Sequence, residues 1–81
     1  MDGFQLRTVS LAPGGERPYD ADEWRDALVV VGRGRVELES RGGRRLAFGC
    51  GETLWLSGMP LRAVCNPGRE TAVLIAVTRR R

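Results

Sequence analysis

Turn signals cut this chain at short intervals, and no stretch between them reads as a convincing long helix. Pro13-Gly14-Gly15, Gly32-Arg33-Gly34, Arg41-Gly42-Gly43-Arg44, Gly49-Cys50-Gly51-Glu52, Ser57-Gly58-Met59-Pro60 and Asn66-Pro67-Gly68 punctuate the sequence, over most of it at a spacing of about 8–12 residues. The segments they leave read as strands. Residues 27–31, ALVVV, form a β-branched apolar run too short for a helix. Residues 35–40, RVELES, alternate, with Val36 and Leu38 on one side and Arg35, Glu37 and Glu39 on the other, as a half-buried strand does. Residues 5–11 alternate imperfectly, 45–48, 53–56 and 61–65 are short, and 71–78, TAVLIAVT, is the longest apolar strand. Gly42-Gly43 supplies the positive φ of a hairpin turn. The polar segment 16–26, ERPYDADEWRD, predicts a short extended piece or one helical turn capped by Asp20 or Asp22. Seven or eight short strands without a long helix imply an all-β barrel or sandwich, closed or paired at its edges so that they do not aggregate.

Eighty-one residues are enough for one domain, 1–81, with residues 78–81 as a basic tail. All thirteen basic residues are arginine and histidine is absent. The commonest proton shuttle and metal ligand is therefore missing, and Cys50 and Cys65, which are not a CxxC pair, cannot complete a usual zinc set. No cofactor is expected. The N-terminal residues lack the pattern of a secretory signal, and no run reaches the length of a membrane span. The expectation is a cytoplasmic protein with two reduced thiols and no membrane contact. A net charge of +3 is mild, and the arginines are poorly interleaved with aromatics, which argues against a nucleic-acid partner.

Residues 51–66, GETLWLSGMPLRAVCN, carry a more specific pattern. Gly51 is followed by five residues, then Ser57, Met59, Arg62 and Asn66. This spacing resembles the second motif of the cupins, which runs glycine, five residues, proline, one residue, glycine, two residues, histidine, three residues, asparagine. Ser57 and Met59 replace the proline and second glycine, Arg62 replaces the histidine, and Asn66 matches. Residues 12–40 resemble the first motif in outline, but the window of its His-x-His and glutamate holds Tyr19, Asp20, Asp22, Glu23, Trp24, Arg25 and Asp26. The resemblance implies a compact cupin-like double-stranded β-helix, or small jelly-roll barrel, without the family's metal chemistry.

In cupins the residue at the position of Arg62 points into the barrel. The resemblance thus implies an interior guanidinium sharing its face with Val64, with Cys65 turned the other way. An interior arginine needs a partner. Three readings stand open: an ion pair with Asp20, Asp22, Glu23 or Asp26, an anchor for an anionic ligand, or a side chain that reaches water at the mouth. Trp24, Trp55 and Tyr19 read either as packing or as walls of a ligand site. The candidate ligand-binding set is Arg62, Tyr19, Asp20, Trp24, Asp26 and Trp55. Trp55, with Met59 and Leu61, suggests an apolar surface for a homodimer. The functional expectation is a metal-independent protein that binds an anionic or polar-aromatic small molecule in the barrel. The alternatives are a metal-free isomerase, cyclase or lyase with Asp26 as base and Arg62 as oxyanion stabiliser, or an interaction module using its arginine clusters.

Overall fold

The computed structural model describes residues 3–79. Eight strands follow in order: β1 (Phe4–Leu11), β2 (Glu16–Pro18), β3 (Ala27–Arg33), β4 (Arg35–Ser40), β5 (Arg45–Gly49), β6 (Thr53–Trp55), β7 (Leu61–Cys65) and β8 (Ala72–Arg79). They form two four-stranded sheets with antiparallel pairing throughout. One, called sheet A here, has the order β1-β8-β3-β6, and the other, sheet B, the order β2-β7-β4-β5. Successive strands mostly switch sheets, so short loops wind the chain around one core as in a jelly roll. The 16–26 segment resolves into β2 followed by turns, and no helix forms among the described residues. None is therefore long and apolar enough to cross a membrane. Of the residues expected as a basic tail, Thr78 and Arg79 belong to β8, and residues 80–81 lie outside the described residues.

Each strand contributes one face to the core. Val9 and Leu11 of β1, Val29 and Val31 of β3, Leu54 of β6 and Leu74 of β8 meet Val36 and Leu38 of β4 and Leu61 and Val64 of β7. Trp24 and Leu56, from the connections after β2 and β6, close the interior and are fully buried. The β4–β5 hairpin turns through Gly43 at φ 87°, with Ser40 N–H donating to Arg44 C=O at 2.8 Å. Gly34 links the sheets at φ 70°, where a Cβ would lie 3.1 Å from the Ala72 backbone. This position therefore demands glycine on both counts.

Among the described residues, Asn66 is the one buried polar side chain. Its amide donates to Leu11 C=O at 2.9 Å and Glu70 C=O at 2.8 Å, and its oxygen accepts from Gly68 N–H at 2.9 Å. It thus satisfies backbone groups at the end of β1 and around the Pro67-Gly68 turn that would otherwise be buried unpaired.

Candidate functional site

The interior beside β1 and β2 is closed by an ionic clamp. Arg7 lies opposite Ala76, and Arg17 opposite Val64, so both start from inward-facing positions. Both reach the carboxylate of Glu23. Arg7 Nη1 donates to Oε2 at 3.1 Å, and Arg17 Nε donates to Oε1 and Oε2 at 3.0 Å. Arg7 Nη2 also donates to the Glu23 carbonyl at 2.7 Å. The Arg17 hydrogen bonds, opposed by burial and aided by Arg7, hold the Glu23 carboxyl below its usual range. The Arg7 guanidinium lies 5.1 Å from the centroid of the Trp24 ring, within cation–π range. Trp24 is core, not the wall of an open site, and its buried indole N–H has no hydrogen-bond partner among the described residues. Tyr19 is also committed: its hydroxyl donates to Leu56 C=O at 2.6 Å.

Arg62 does not enter the interior. Glu39 pairs with Ala63 and Ser40 with Leu61, which leaves Arg62 as the extra residue of a β-bulge. A bulge re-aims the side chain it carries, so Arg62 leaves the face of Val64 and joins the outer face of sheet B. There it is half exposed, bonded to Glu39 and, at 2.8 Å, to Glu16. None of the four acids expected to pair with it does so. Arg45 adds contacts to Glu37 at 3.0 Å and Glu39 at 3.5 Å. The Arg62 hydrogen bond pulls the Glu39 carboxyl below its usual range, and the two glutamates push the Arg62 guanidinium higher still. Ala63 and Cys65 lie on this face beneath the long side chains and are buried. Burial raises the Cys65 thiol above its ordinary value. Cys50 is exposed, and both thiols are free.

The other expected site residues are dispersed. Asp20 accepts from Asp22 N–H in an exposed turn, and Asp22 pairs with Arg25. Asp26 and Trp55 do come together, along a groove outside sheet A that Phe4, Leu28, Val77 and Arg79 also line. Asp26 adopts φ 54°. Its carboxylate and Arg62 therefore belong to opposite outer faces of the molecule.

The opening that leads toward the core lies elsewhere. Leu46 pairs with Leu38 across the β4–β5 hairpin, so it shares the inward face. Yet it is 56% exposed, on the edge strand of sheet B. The resulting cleft of about 340 Å³ has Leu38 and Leu61 as its floor. Leu46, Met59 and Pro60 form its walls, and Ser40, Arg44 and Arg45 its rim. Arg45 is already paired with glutamates, whereas the Arg44 guanidinium forms no ion pair among the described residues. Met59 and Leu61 thus belong to this cleft and the core, not to the Trp55 surface.

Solved structures share this architecture. A Cupin 2 conserved barrel domain protein from Salinispora arenicola superimposes with a TM-score of 0.67 at 26% identity, covering 91% of this chain and 60% of that protein. A cupin domain from Bordetella pertussis gives 0.66 at 19% identity, covering 96% and 82%. A sugar phosphate isomerase of the cupin superfamily from Silicibacter pomeroyi gives 0.67 at 24% identity, covering 96% and 51%. The fold is that of a cupin. No protein-family model and no curated protein matches the sequence, so the likeness resides in the backbone architecture.

In this cupin-like fold the positions matching the cupin metal ligands do not fit a metal. The chain has no histidine, and among the described residues no three Cys, Asp or Glu side chains gather into a possible site. Around those positions stand Trp24 in the core, Arg25 in a surface ion pair and Arg62 on the outer face. The Arg7–Glu23–Arg17 clamp and the Leu46 cleft escaped the sequence reading. A signal for each was present. Arg7 falls on the same side of β1 as Val9 and Leu11, and Leu46 lies opposite Leu38 once the Gly42-Gly43 hairpin is drawn.

Proposed function

We propose that this cupin binds a small amphipathic anion, without a metal, in the cleft between the β4–β5 hairpin and the β6–β7 turn. The observation that carries the reading is an inward-facing leucine, Leu46, left half exposed beside Arg44, which forms no ion pair among the described residues. Leu38, Leu46, Met59 and Leu61 would take an apolar body, and Arg44 a carboxylate or phosphate through its planar fork. The cleft lies near the small end of the ~300–1,000 Å³ range of ligand sites, which favours a compact ligand. Binding stands ahead of catalysis because Asp26 and Arg62, the expected base and oxyanion partner, lie on opposite faces. It stands ahead of an arginine-rich interaction surface because Arg7, Arg17, Arg25, Arg45 and Arg62 are tied to carboxylates.

Amide-resolved NMR titration with short alkyl and aryl carboxylates and phosphate monoesters tests the site. Shifts should cluster at Leu38, Arg44, Leu46 and Leu61, and Arg44→Ala should weaken binding about tenfold, the loss of one charge-assisted contact of ~1.4 kcal/mol. Saturable shifts that avoid the cleft, or none with millimolar probes, would reject it.

A further inference from the structure

Three turns meet at one end of the molecule: β3–β4 at Gly34, β5–β6 at Cys50 and β7–β8 at residues 67–70. With Arg35 they line a cleft of about 650 Å³. None of these residues lines the Leu46 cleft. The cleft lies beyond the end of β7, whereas Arg62 stands near the start of that strand. Each turn is pinned to the barrel. Gly34 packs closely on Ala72 at φ 70°. The Cys50 turn is tied to β3, where Gly51 N–H donates to Val31 C=O at 2.8 Å and Val31 N–H donates to Glu52 C=O at 3.0 Å. The buried Asn66 side chain holds Gly68 N–H and Glu70 C=O, one on each side of Arg69. A backbone fixed in this way lowers the ordering cost of binding.

Two guanidiniums line this cleft without a counterion from the chain. Arg35 opens β4 opposite Gly49, whose missing side chain leaves room beside it. Arg35 and Arg69 form no ion pair among the described residues, although Glu70 lines the same cleft. On the outer face of sheet B, by contrast, Arg45 and Arg62 each bond to two glutamates. We infer that the cleft is a binding site, separate from the Leu46 cleft, for a compact doubly charged oxyanion of the phosphate monoester class, with Arg35 and Arg69 donating to its oxygens. Guanidinium forks match phosphate oxygens in geometry and charge, and two of them favour a dianion over a monocarboxylate. Among the described residues the lining holds no leucine, isoleucine, valine or aromatic side chain, so the apolar body that suits the Leu46 cleft has nothing to bury against here. The same lack of aromatics disfavours a nucleic-acid strand, whose bases need stacking partners. Glu70 opposes the two arginines with one charge and disfavours a ligand carrying a further negative group.

Amide-resolved NMR titration of the full chain with inorganic phosphate and glycerol phosphate, at constant ionic strength, tests the inference. Saturable shifts should cluster at Gly34, Cys50, Gly68 and Arg69. Acetate, which engages one guanidinium fewer, should bind about tenfold more weakly. Arg35→Ala and Arg69→Ala should each weaken phosphate binding about tenfold, and Glu70→Gln should tighten it by removing a like charge. Arg44→Ala, in the Leu46 cleft, should leave it unchanged. Cys50 gives an independent readout because it lies in the wall: phosphate should slow its alkylation by iodoacetamide in the wild type and fail to do so in the Arg35→Ala, Arg69→Ala double variant. Shifts that do not saturate with millimolar phosphate overturn the inference. So does an equal response to acetate, or phosphate binding that Arg44→Ala weakens as much as Arg69→Ala does. Shifts at Leu38, Leu46 and Leu61 report the other cleft in the same spectra, so either site can fail while the other stands.

Discussion

On the outer face of sheet A the cross-strand neighbours are Leu6, Val77, Leu28 and Trp55. On the outer face of sheet B they are glutamates and arginines around small residues, Ala47, Ala63 and Cys65, with Pro18 at the β2 edge. Both sheets bury their inner faces in the same core, so the core does not explain the contrast. The strands themselves record it. Residues 35–40 alternate strictly because Glu37 and Glu39 face water and bond to Arg45 and Arg62. Residues 27–31 and 72–77 do not alternate because neither side of those strands is written for water. The comparison separates a face finished by the chain's own charges from one whose outward side chains are largely apolar.

The largest effect expected from breaking this contrast is on the coupling of stability to concentration. If sheet A is an interface, each tenfold dilution costs ~1.4 kcal/mol of dimer, and Tm should fall with dilution by several degrees. Leu28→Arg should abolish that dependence, whereas a charge removed from sheet B should keep it. Differential scanning calorimetry across a hundredfold range of concentration makes the comparison, and a wild-type Tm independent of concentration would refute it.

A smaller effect is expected at the seam that joins the two sheets. Glu23 receives Arg7 from sheet A and Arg17 from sheet B. Glu23→Gln should cost about 1–2 kcal/mol at neutral pH, between the values for exposed and buried pairs, or about 4–16 °C in Tm for a domain of this size. Because Glu23 titrates lower in the folded chain than the ordinary glutamate value of 4.5, its stabilisation is complete above that value and disappears as pH falls through the depressed one. Wild type and Glu23→Gln should therefore converge in acid, and a constant gap down to pH 2 would show that the carboxylate charge is not what holds the seam.

The strand order of events was legible because turn chemistry and period-2 alternation are local properties. Gly43, the β4 alternation and the apolar runs of β3 and β8 appear in the structure as the sequence implied, and the motif asparagine, Asn66, ties the turn that its spacing marked. The direction of Arg62 was not legible. Alternation puts it with Val64, and only the two-against-one pairing with Glu39 and Ser40 turns it outward. A bulge depends on the register of a partner strand more than twenty residues away, which no local pattern encodes. Trp24 was ambiguous for a related reason. It lies in a connection with no period to assign its side, and the residues that enclose it come from both sheets. Likewise, Trp55 showed by alternation that it leaves the core, but only the β6–β3–β8–β1 pairing assembles it with Leu28, Val77 and Leu6.

Chemical reactivity sharpens the reading of sheet B. Cys65 is buried beneath the ion-pair layer, and burial holds its thiol high, whereas Cys50 is exposed. Alkylation should modify Cys50 first, since the thiolate fraction and access govern the rate. Arg62→Ala should then speed Cys65 several-fold by removing the side chain above it. It should leave cleft binding untouched, because Arg62 faces away from Leu46. Mass spectrometry of partial alkylation gives both rates. Equal reactivity of the two cysteines in the wild type would contradict the covered face.

The smallest effect should come from the ion pairs themselves. Glu39→Gln removes the charge shared by Arg62 and Arg45, but these groups sit at the solvent boundary, where water and salt compete with the pairing. The variant should lose only a little stability at low ionic strength, and most of that loss should vanish in ~0.5 M salt. Sheet A should respond oppositely: if its apolar face is an interface between copies, sulfate should tighten the association, because salting-out anions strengthen apolar contact, while chloride erases the difference at Glu39. A Glu39→Gln defect that persists in high salt would mean that the lattice is shielded from water as an interface is, and the distinction between the two faces would then collapse.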